Sequence, residues 1–461
     1  MSDSTPRRRR REDPRTRTDG PVLADLLPAQ RIHDALRAER VNWRHKVFTP
    51  AVTVWAFLAQ VLNPDRSCAA AVARIWAWLV GTGRPCRSNT GAYCKARARL
   101  GEAVPRRLAR DAGRDLHRRA ASGWWWRGRR VKVVDGTTLS MPDTRANQRE
   151  YPQPEAQPPG LGFPIVRAVV VFCLATGAVL DAALGRCRGK RTGEAALLRQ
   201  LTGAFDPGDV VLGDRLFGGF YELAFWQSRG VDPVVRLHHA RGTDFRTGRR
   251  LGREDHVVVW SKPDRPPWVD DELFGLLPRK LSVREVRVRV ATRGFRTRRL
   301  VVATTLMDSA AYPAAALAEL YRMRWHAELD LRSLKVTLGL DVLRCKAPAL
   351  VRAEFWMHLL GYNLIRGVMA DAAAGAGCAP RELSFAGAVQ AVWAFGAWSA
   401  CSPSRATDLR RGLLAMVGSQ RVGHRPDRIE PRARKRRPKH GALLTTPREQ
   451  ARARLRRGIG T

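Results

Sequence analysis

Residues 131–136 read Val-Lys-Val-Val-Asp-Gly, and this short stretch decides the class of fold. Its β-branched valines favour a strand, and Asp-Gly is a typical turn signal. A similar pattern returns at residues 209–214, which read Asp-Val-Val-Leu-Gly-Asp. Each strand is therefore predicted to end at an aspartate, Asp135 in the first case and Asp214 in the second. Loops at strand ends often carry functional side chains on a rigid sheet. Taken alone, however, such an aspartate is more often a turn former or a helix cap.

Further β-rich segments surround these two and predict a mixed α/β fold, with a sheet covered by helices. The other expected strands are Ile165–Cys173, Ala178–Leu184, Val231–Leu237, Val257–Trp260, Val283–Val290 and Leu300–Thr305. The segments between residues 238 and 305 carry many arginines and are interpreted as an inserted all-β module. Apolar residues three and four positions apart predict helices before the sheet, and again over Ala315–Leu338 and Ala353–Ala374.

These patterns divide the chain into five parts. A disordered basic arm is expected over 1–22 and a helical region over 23–125. A mixed α/β domain follows over 126–370, with a β-rich insertion at about 238–305. A helical C-terminal region is expected over 371–420, and a basic mobile tail over 421–461.

The charge balance predicts the class of partner. The chain has 82 Lys and Arg against 42 Asp and Glu, a formal net charge of +40. Such an excess points to a polyanion, and arginine pairs bidentately with phosphate. The sequence lacks a run of about 18 apolar residues, so we expect DNA rather than a membrane. A genome that favours arginine codons is the alternative explanation of the charge.

The cysteines and the N-terminus predict the compartment. None of the eight cysteines forms a CxxC pair, which argues against a zinc site, and eight cysteines in 461 residues do not indicate a disulfide framework. Five arginines at 7–11 precede no apolar stretch, so a signal peptide is not expected. We expect a protein of the reducing cytoplasm, associated with the nucleoid through its DNA partner.

A third acid lies on a predicted helix with a distinctive face. With Tyr321 as zero and about 100° per residue, Arg324 falls near 300°, Glu328 near 340° and Lys335 near 320°. The four side chains therefore share an arc of about 60°. A surface ladder of salt bridges would give the same spacing.

The spacing of these four residues resembles the YREK signature of transposases in the insertion-sequence-four family, the bacterial DDE group. The residues from Asp135 to Thr144 are similar to the block around that family's first catalytic aspartate, and Gly213–Phe217 to the block around its second. The basic helix expected at Ser88–Leu100 is similar to an element of its N-terminal DNA-binding region, although it would equally suit a solvated face. The ordered matches cover about residues 45–370.

This resemblance implies a ribonuclease-H-like catalytic domain whose catalytic triad is Asp135, Asp214 and Glu328. The three carboxylates would hold two Mg²⁺ or Mn²⁺ ions, with Asp135 shared between them. Tyr321, Arg324 and Lys335 would bind phosphates beside the scissile bond.

The resemblance also implies a cut-and-paste reaction on double-stranded DNA, at the transposon ends and at the target. A dimer is expected in the DNA complex. Glu328 follows Asp214 by 114 positions (328 − 214), which leaves room for the insertion. In this family such an insertion is associated with a hairpin and with an aromatic residue that holds a flipped base. Trp260 and Trp268 are the candidates, and ordinary packing is the alternative for both.

Two other functions remain open at the sequence level. A domesticated nuclease or recombinase would keep the three acids without moving an element. A catalytically inactive DNA-binding protein would keep the basic surface alone, but the intact triad and YREK face argue against it.

Overall fold

The computed structural model describes residues 23–43, 47–81, 89–189, 192–238, 241–289, 299–401, 405–423 and 444–457. The basic arm expected over 1–22 lies outside these residues, as does most of the tail expected over 421–461. One segment of that tail is a helix, Arg448–Arg456. It packs on the catalytic region, since the Arg448 guanidinium lies 5.7 Å from the centre of the Phe163 ring.

The N-terminal part is helical, as the apolar spacing predicts. Its helices are α1 (Ala29–Ala38), α2 (Pro50–Leu62), α3 (Cys68–Gly81), α4 (Thr90–Leu100) and α5 (Ala103–Arg118). Helix α4 begins where the Asn89 side chain accepts a hydrogen bond from the backbone N–H of Ala92. Its Arg97 does not face solvent: the residue is 7% exposed and donates to the Gln60 side chain at 3.0 Å. Arg97 therefore packs this region together, which leaves Lys95 and Arg99 as the exposed cations of the basic helix.

Nine described strands form one mixed sheet in the order β3-β2-β1-β4-β5-β9-β8-β7-β6. They are β1 (Val131–Ser140), β2 (Ile165–Cys173), β3 (Val179–Arg186), β4 (Val210–Gly213), β5 (Asp232–Arg236), β6 (Arg249–Gly252), β7 (Asp255–Ser261), β8 (Lys280–Arg289) and β9 (Arg299–Thr304). The predicted mixed α/β class is confirmed.

Strand β1 corrects one detail of the prediction, because it does not end at Asp135. It pairs parallel with β4 only from Val131 to Val133. Its antiparallel pairing with β2 continues to Ser140, so the Asp-Gly step is spanned by strand rather than by a turn. Asp135 thus lies just past the point where β1 and β4 separate.

The strands of the β-rich insertion extend the central sheet. Its strand β9 pairs antiparallel with β5 from Val302 to Thr304, and β8, β7 and β6 extend the same sheet outward. A short helix, α9 (Asp271–Leu276), interrupts these strands, so the segment is not all β. Hydrogen bonds therefore join the insertion to the catalytic sheet.

Helices cover both faces of this sheet, as the alternation of buried side chains requires. Val133 and Val170 point into one core, which includes α5 and the long, largely buried helix α12 (Pro348–Gly375). Val134 and Val171 point into a second core, formed with α7 (Glu194–Leu198) and α8 (Phe220–Ser228). Two further helices, α13 (Phe385–Cys401) and α14 (Ala406–Ser419), follow α12. None of the described helices is long and apolar enough to cross a membrane.

The predicted helix Ala315–Leu338 is divided into segments. They are α10 (Ala314–Met323), α11 (Trp325–Arg332) and a π-helical turn at Ser333–Thr337. Arg324 joins α10 to α11 and keeps helical backbone angles. The chain direction is therefore preserved across the junction.

A buried ion cluster fixes α11 in place. Asp330 is 0% exposed and pairs with Arg366 of α12 and with Arg381. Arg381 contacts both carboxylate oxygens, at 2.7 and 2.8 Å, and also donates to the backbone carbonyls of Cys173 and Leu174. One face of α11 is thereby tied to α12 and to the end of β2, and the opposite face is left open.

We expect Asp330→Ala to lower the free energy of unfolding by about 3–5 kcal/mol, because two largely buried guanidinium groups would lose their counter-charge. Urea denaturation followed by circular dichroism measures this loss. Asp408→Ala is the control, since Asp408 and its partner Arg411 are 62% and 76% exposed and such pairs add little stability. If Asp330→Ala were as stable as the control, the ion cluster would not hold α11.

Candidate active site

Two carboxylates meet at one edge of the sheet. Asp135 projects from β1 just after its parallel pairing with β4 ends, and Asp214 directly follows β4. Asp214 caps a short 3-10 turn, where its side chain accepts from the backbone N–H of Leu216 at 2.6 Å. Since β1 and β4 are adjacent and parallel, their carboxyl ends bring both acids to the same side.

The third acid, Glu328, comes from α11 and is held by a cation. Arg324 donates to Glu328 Oε1 at 2.7 Å, one helical turn away. Tyr321 lies mostly buried beside Arg324; burial raises the pKa of its phenol, while the Arg324 charge opposes that rise. The predicted face of Tyr321, Arg324 and Glu328 is therefore present across the junction of α10 and α11.

Lys335 lies on the π-helical turn and also has an acidic partner. Its Nζ is 2.9 Å from Asp341 Oδ1 and donates to the backbone carbonyl of Thr138 at 3.3 Å. The contact to Thr138 ties this turn to the far part of β1. Lys335 is thus placed beside the strand that carries Asp135.

These residues line one open cavity of about 590 Å³. Its lining includes Asp135, Asp214, Arg324, Glu328 and Lys335, which are five of the eight predicted site residues. Tyr321 lies behind Arg324, and the two tryptophans do not line the cavity. Sequence reasoning missed Gly136, Leu331, Arg332, Val336 and Asp341, which complete the wall.

Burial and crowding of negative charge shape the electrostatics of this cavity. Burial raises the pKa of Asp135 to about 6, helped by the charges of Glu328 and Glu194 and opposed by the Arg324 charge and by the Gly136 N–H. Burial also raises the pKa of Glu194, with Asp214 adding to the effect and Arg167 opposing it. A bound cation would relieve this repulsion.

The donor set suits a hard divalent cation such as Mg²⁺ or Mn²⁺, because every acidic side chain here offers carboxylate oxygens. Among the described residues, however, no three His, Cys, Asp or Glu side chains converge closely enough to hold one ion. Glu328 is engaged by Arg324 instead. The described carboxylates therefore fit the metal by chemistry but do not enclose an ion in this conformation.

The two tryptophans of the insertion occupy different environments. Trp260 is 4% exposed and donates its indole N–H to Glu285 at 2.9 Å. It is part of the second core, the one that α7 and α8 form with the sheet. Trp268 is half-buried, with the Arg199 guanidinium 3.8 Å from its ring centre. In this conformation only Trp268 offers part of its ring to a base. A role in base flipping stays a prediction for both.

Residues 126–364, more than half of the chain, match the family described as transposase DDE domain. The chain belongs to the DDE transposase family. Residues 18–110 also match the insertion element 4 transposase N-terminal family. The predicted family is confirmed, and the protein is a DNA transposase, an enzyme that cleaves and transfers DNA strands.

Two insertion-sequence transposases are similar to this chain in sequence. The transposase InsG for insertion sequence element IS4 of Escherichia coli K12 is 28% identical over 425 residues, which cover 90% of this chain and 92% of that protein. The transposase for insertion sequence element IS421 of Escherichia coli is 38% identical over 69 residues, 15% of this chain and 19% of that protein. A piggyBac transposase synaptic complex with hairpin DNA aligns over 89% of this transposase and 87% of that chain, with 9% identity and a TM-score of 0.42.

We expect Asp135→Asn to raise the melting temperature of this transposase at pH 7.5. The folded chain holds the Asp135 pKa at about 6, above its ordinary value of 3.8, so ionisation destabilises the fold as pH rises through that range. Removing the charge removes this cost, and the advantage should vanish near pH 4. Differential scanning fluorimetry at both pH values measures it.

Asp308→Asn is the control of opposite sign. Backbone N–H groups of Ala311 and Ala310 lower the pKa of Asp308, so its charge stabilises the fold at neutral pH. This variant should melt lower at pH 7.5 and match the wild type in strong acid. An Asp135→Asn variant no more stable than wild type at pH 7.5 would contradict the assignment of a strained, ionised carboxylate.

Proposed function

We propose that this transposase binds the ends of its insertion sequence and cleaves and transfers their strands with two divalent cations, Mg²⁺ or Mn²⁺. Asp135, Asp214 and Glu328 would hold the ions. The observation that carries the proposal is the convergence of these three acids with Arg324 and Lys335 around one open cavity. Acids for metal and cations for phosphate are the two components that phosphodiester chemistry needs.

The bound ions would supply Lewis acidity, which activates the attacking water or 3′-hydroxyl and stabilises the leaving oxygen. The chain itself positions the DNA. Arg324 offers a planar fork that suits two phosphate oxygens, and Lys335 offers a point charge. Tyr321 packs against Arg324 and limits the directions in which its guanidinium can turn.

Both phosphate-binding cations are engaged by acids in the DNA-free chain. Arg324 pairs with Glu328, and Lys335 pairs with Asp341. An incoming phosphate would compete for these cations, and release of Glu328 would free a ligand for the metal. Binding of DNA and of metal would therefore support each other, because each removes a partner that opposes the other.

The wider reaction follows from this site. We propose double-stranded transposon ends and target DNA as partners, a cut-and-paste path at the nucleoid, and a dimer in the DNA complex, because two ends must be joined together. If a hairpin forms with a flipped base, the exposure of Trp268 favours it over Trp260 as the stacking residue.

Each of the variants Asp135→Asn, Asp214→Asn and Glu328→Gln should reduce cleavage by more than the roughly 10- to 100-fold typical of losing an outer-shell partner of a metal. The assay incubates the purified full chain with DNA that spans the ends of its element and Mg²⁺, and detects 3′-hydroxyl ends and hairpins on sequencing gels. Near-wild-type cleavage by any of the three variants would overturn the triad.

Glu150→Gln is the matched control for this series. Glu150 is also partly exposed, but its partners are Arg186 and Arg352 and it lies outside the cavity. This variant should cleave like the wild type. A wild-type chain that binds these ends without cutting them would favour an inactive DNA-binding protein instead.

DNA binding should survive the three substitutions and weaken steeply with salt. Neutralising six or more phosphates would lower the affinity by about a thousandfold or more between roughly 50 and 200 mM salt. Electrophoretic mobility shifts with Asp135→Asn in the presence of EDTA isolate binding from cleavage. An affinity that hardly changes over this range would contradict a binding surface built from arginine and lysine.

A further inference from the structure

A second cavity, of about 290 Å³, lies between the end of α5 and the start of β1. Its wall is largely apolar and includes Trp124, Trp125, Trp126, Leu174, Ala175 and Met323. Among the described residues, none lines both this cavity and the active-site cavity. We call it the indole cavity. Its size and lining approach those of small-molecule sites, whose volumes begin at about 300 Å³.

A tight turn holds the three tryptophans in place. The backbone N–H of Arg129 donates to the carbonyl of Trp126 at 2.8 Å. Between them, Arg127 and Gly128 have φ angles of 47° and 72°, and two successive positive φ angles are typical of a type I′ hairpin turn. Trp126 is buried, and the two tryptophans before it remain half-buried at the cavity. Their rings are therefore held by the fold and are still within reach of a ligand.

Two arginines of the wall have no acidic partner. The Arg130 guanidinium lies 4.8 Å from the centre of the Trp125 ring. Arg127 is exposed and donates to the backbone carbonyl of Ala311 at 3.3 Å. Within the described ranges neither forms an ion pair, whereas the other two arginines of this wall are each paired with an aspartate. Two cations beside indole rings are thus available to an anion.

His117 adds a polar group to the same wall. It is 7% exposed, and its Nδ1 lies 3.2 Å from the Sγ of Cys173. In the described part of the chain its Nε2 has no hydrogen-bond partner, which is unusual for a buried polar atom. Burial lowers the pKa of His117 to about 4, so at pH 7 the neutral ring has one donor and one acceptor. A heterocycle with its own donors and acceptors would supply the missing partner.

The indole cavity is built on the elements that also carry the catalytic acids. Met323 of α10 and His326 of α11 belong to its wall, and Glu328 follows on α11. Val131, at the start of β1, lines the cavity as well. Asp135 is four residues further along that strand, a distance of about 13 Å. A strand of DNA bound at the indole cavity would therefore be held by the same elements as the active site.

We propose that the indole cavity binds one unpaired nucleotide, with its base against Trp124 and Trp125 and its phosphate at the two unpaired arginines. Stacking on an indole suits any base, because every base has a π face. A net charge of +40 favours a nucleotide within a DNA strand over a free nucleotide, which is the other source of this chemistry. Unpairing costs least for a base that is already single-stranded, as at a cleaved end. The site is separate from Trp268 and does not depend on the metal ions.

The fluorescence of 2-aminopurine, which falls when the base stacks on an indole, tests the proposal. The full chain is titrated in EDTA with a short single strand that carries 2-aminopurine. Trp125→Ala should weaken binding by about 5- to 150-fold, and Trp125→Phe should weaken it less. Trp393→Ala is the control, since Trp393 is a 38% exposed indole on α13, outside the cavity, and should bind like the wild type. Equal affinity of Trp125→Ala and wild type would overturn the proposal.

Ala175→Phe tests the cavity without removing an indole or an arginine. Ala175 is part of the wall, so the added ring would fill the space of the base and should weaken binding as Trp125→Ala does. Circular dichroism confirms folding for each variant. A folded Ala175→Phe chain with wild-type affinity would show that the base binds elsewhere.

Arg130→Gln tests the phosphate contact. It should weaken binding and lower the dependence of log affinity on log salt by about one. Arg411→Gln, an exposed arginine on α14 outside the cavity, should leave this slope unchanged. A wild-type slope in Arg130→Gln would contradict the proposed contact.

The free 2-aminopurine deoxyribonucleoside monophosphate distinguishes the two sources of the nucleotide. Tighter binding of the strand than of the monophosphate assigns the site to DNA, and equal affinity assigns it to a free nucleotide. Asp135→Asn separates this inference from the proposed function, because it should lose cleavage and still bind the strand like the wild type. Loss of quenching in Asp135→Asn would place the base in the active site and overturn the inference, while the metal triad would stand.

Discussion

The pairing of Asp330 with Arg366 and Arg381 is the interaction on which the geometry of the active site depends. Glu328 and Asp330 are two positions apart on α11, so they point to nearly opposite sides of the helix. Asp330 faces inward and is held by two guanidinium groups, one from α12 and one that also grips the end of β2. A buried ion cluster is a costly way to stabilise a protein, but its directional bonds define one rotation of the helix. That rotation presents Glu328 to the edge of the sheet where Asp135 and Asp214 lie.

The acidic side chains in the cores and those in the cavity differ in their ion-pair partners. Four buried acids, Asp181, Asp209, Asp255 and Asp330, are paired with arginine or lysine from the fold itself. The acids of the cavity are either without a cation, as Asp135 and Asp214 are among the described residues, or paired with the two side chains proposed to bind phosphate. A protein of net charge +40 attracts DNA over its whole surface. The cavity, by contrast, is lined by four acids, Asp135, Asp214, Glu328 and Asp341, against three cations, Arg324, Arg332 and Lys335.

Sequence patterns predicted those parts of the site that depend on local regularity. The strand before Asp135, the strand before Asp214 and the helix face of Glu328 each follow from spacing within about 15 residues, and the fold class follows from their order.

Contacts between residues far apart in the sequence were not predicted. Glu194 is separated from β1 by the β2–β3 hairpin, and the packing of α7 places its carboxyl group against Gly136. The extension of β1 beyond Asp135 depends on its pairing with β2, which overrides the turn preference of Asp-Gly. Arg97 belongs to the basic helix expected at Ser88–Leu100, and its basic composition alone does not show that this side chain faces the interior.

The joining of the insertion to the catalytic sheet changes what that segment can do. A separate module on a linker would reach DNA independently of the active site, and its position would vary by many ångströms. Here β9 is hydrogen-bonded to β5, and β5 is hydrogen-bonded to β4, which leads directly to Asp214.

The buried ion pair of Asp255 and Arg284 stiffens the outer strands, and Arg284 also donates to the backbone carbonyl of Tyr312 just before α10. The insertion is thus connected to the catalytic acids through the sheet on one side and through the start of the Glu328 helix region on the other. Any DNA segment that it binds is therefore held in a fixed relation to the scissile phosphate.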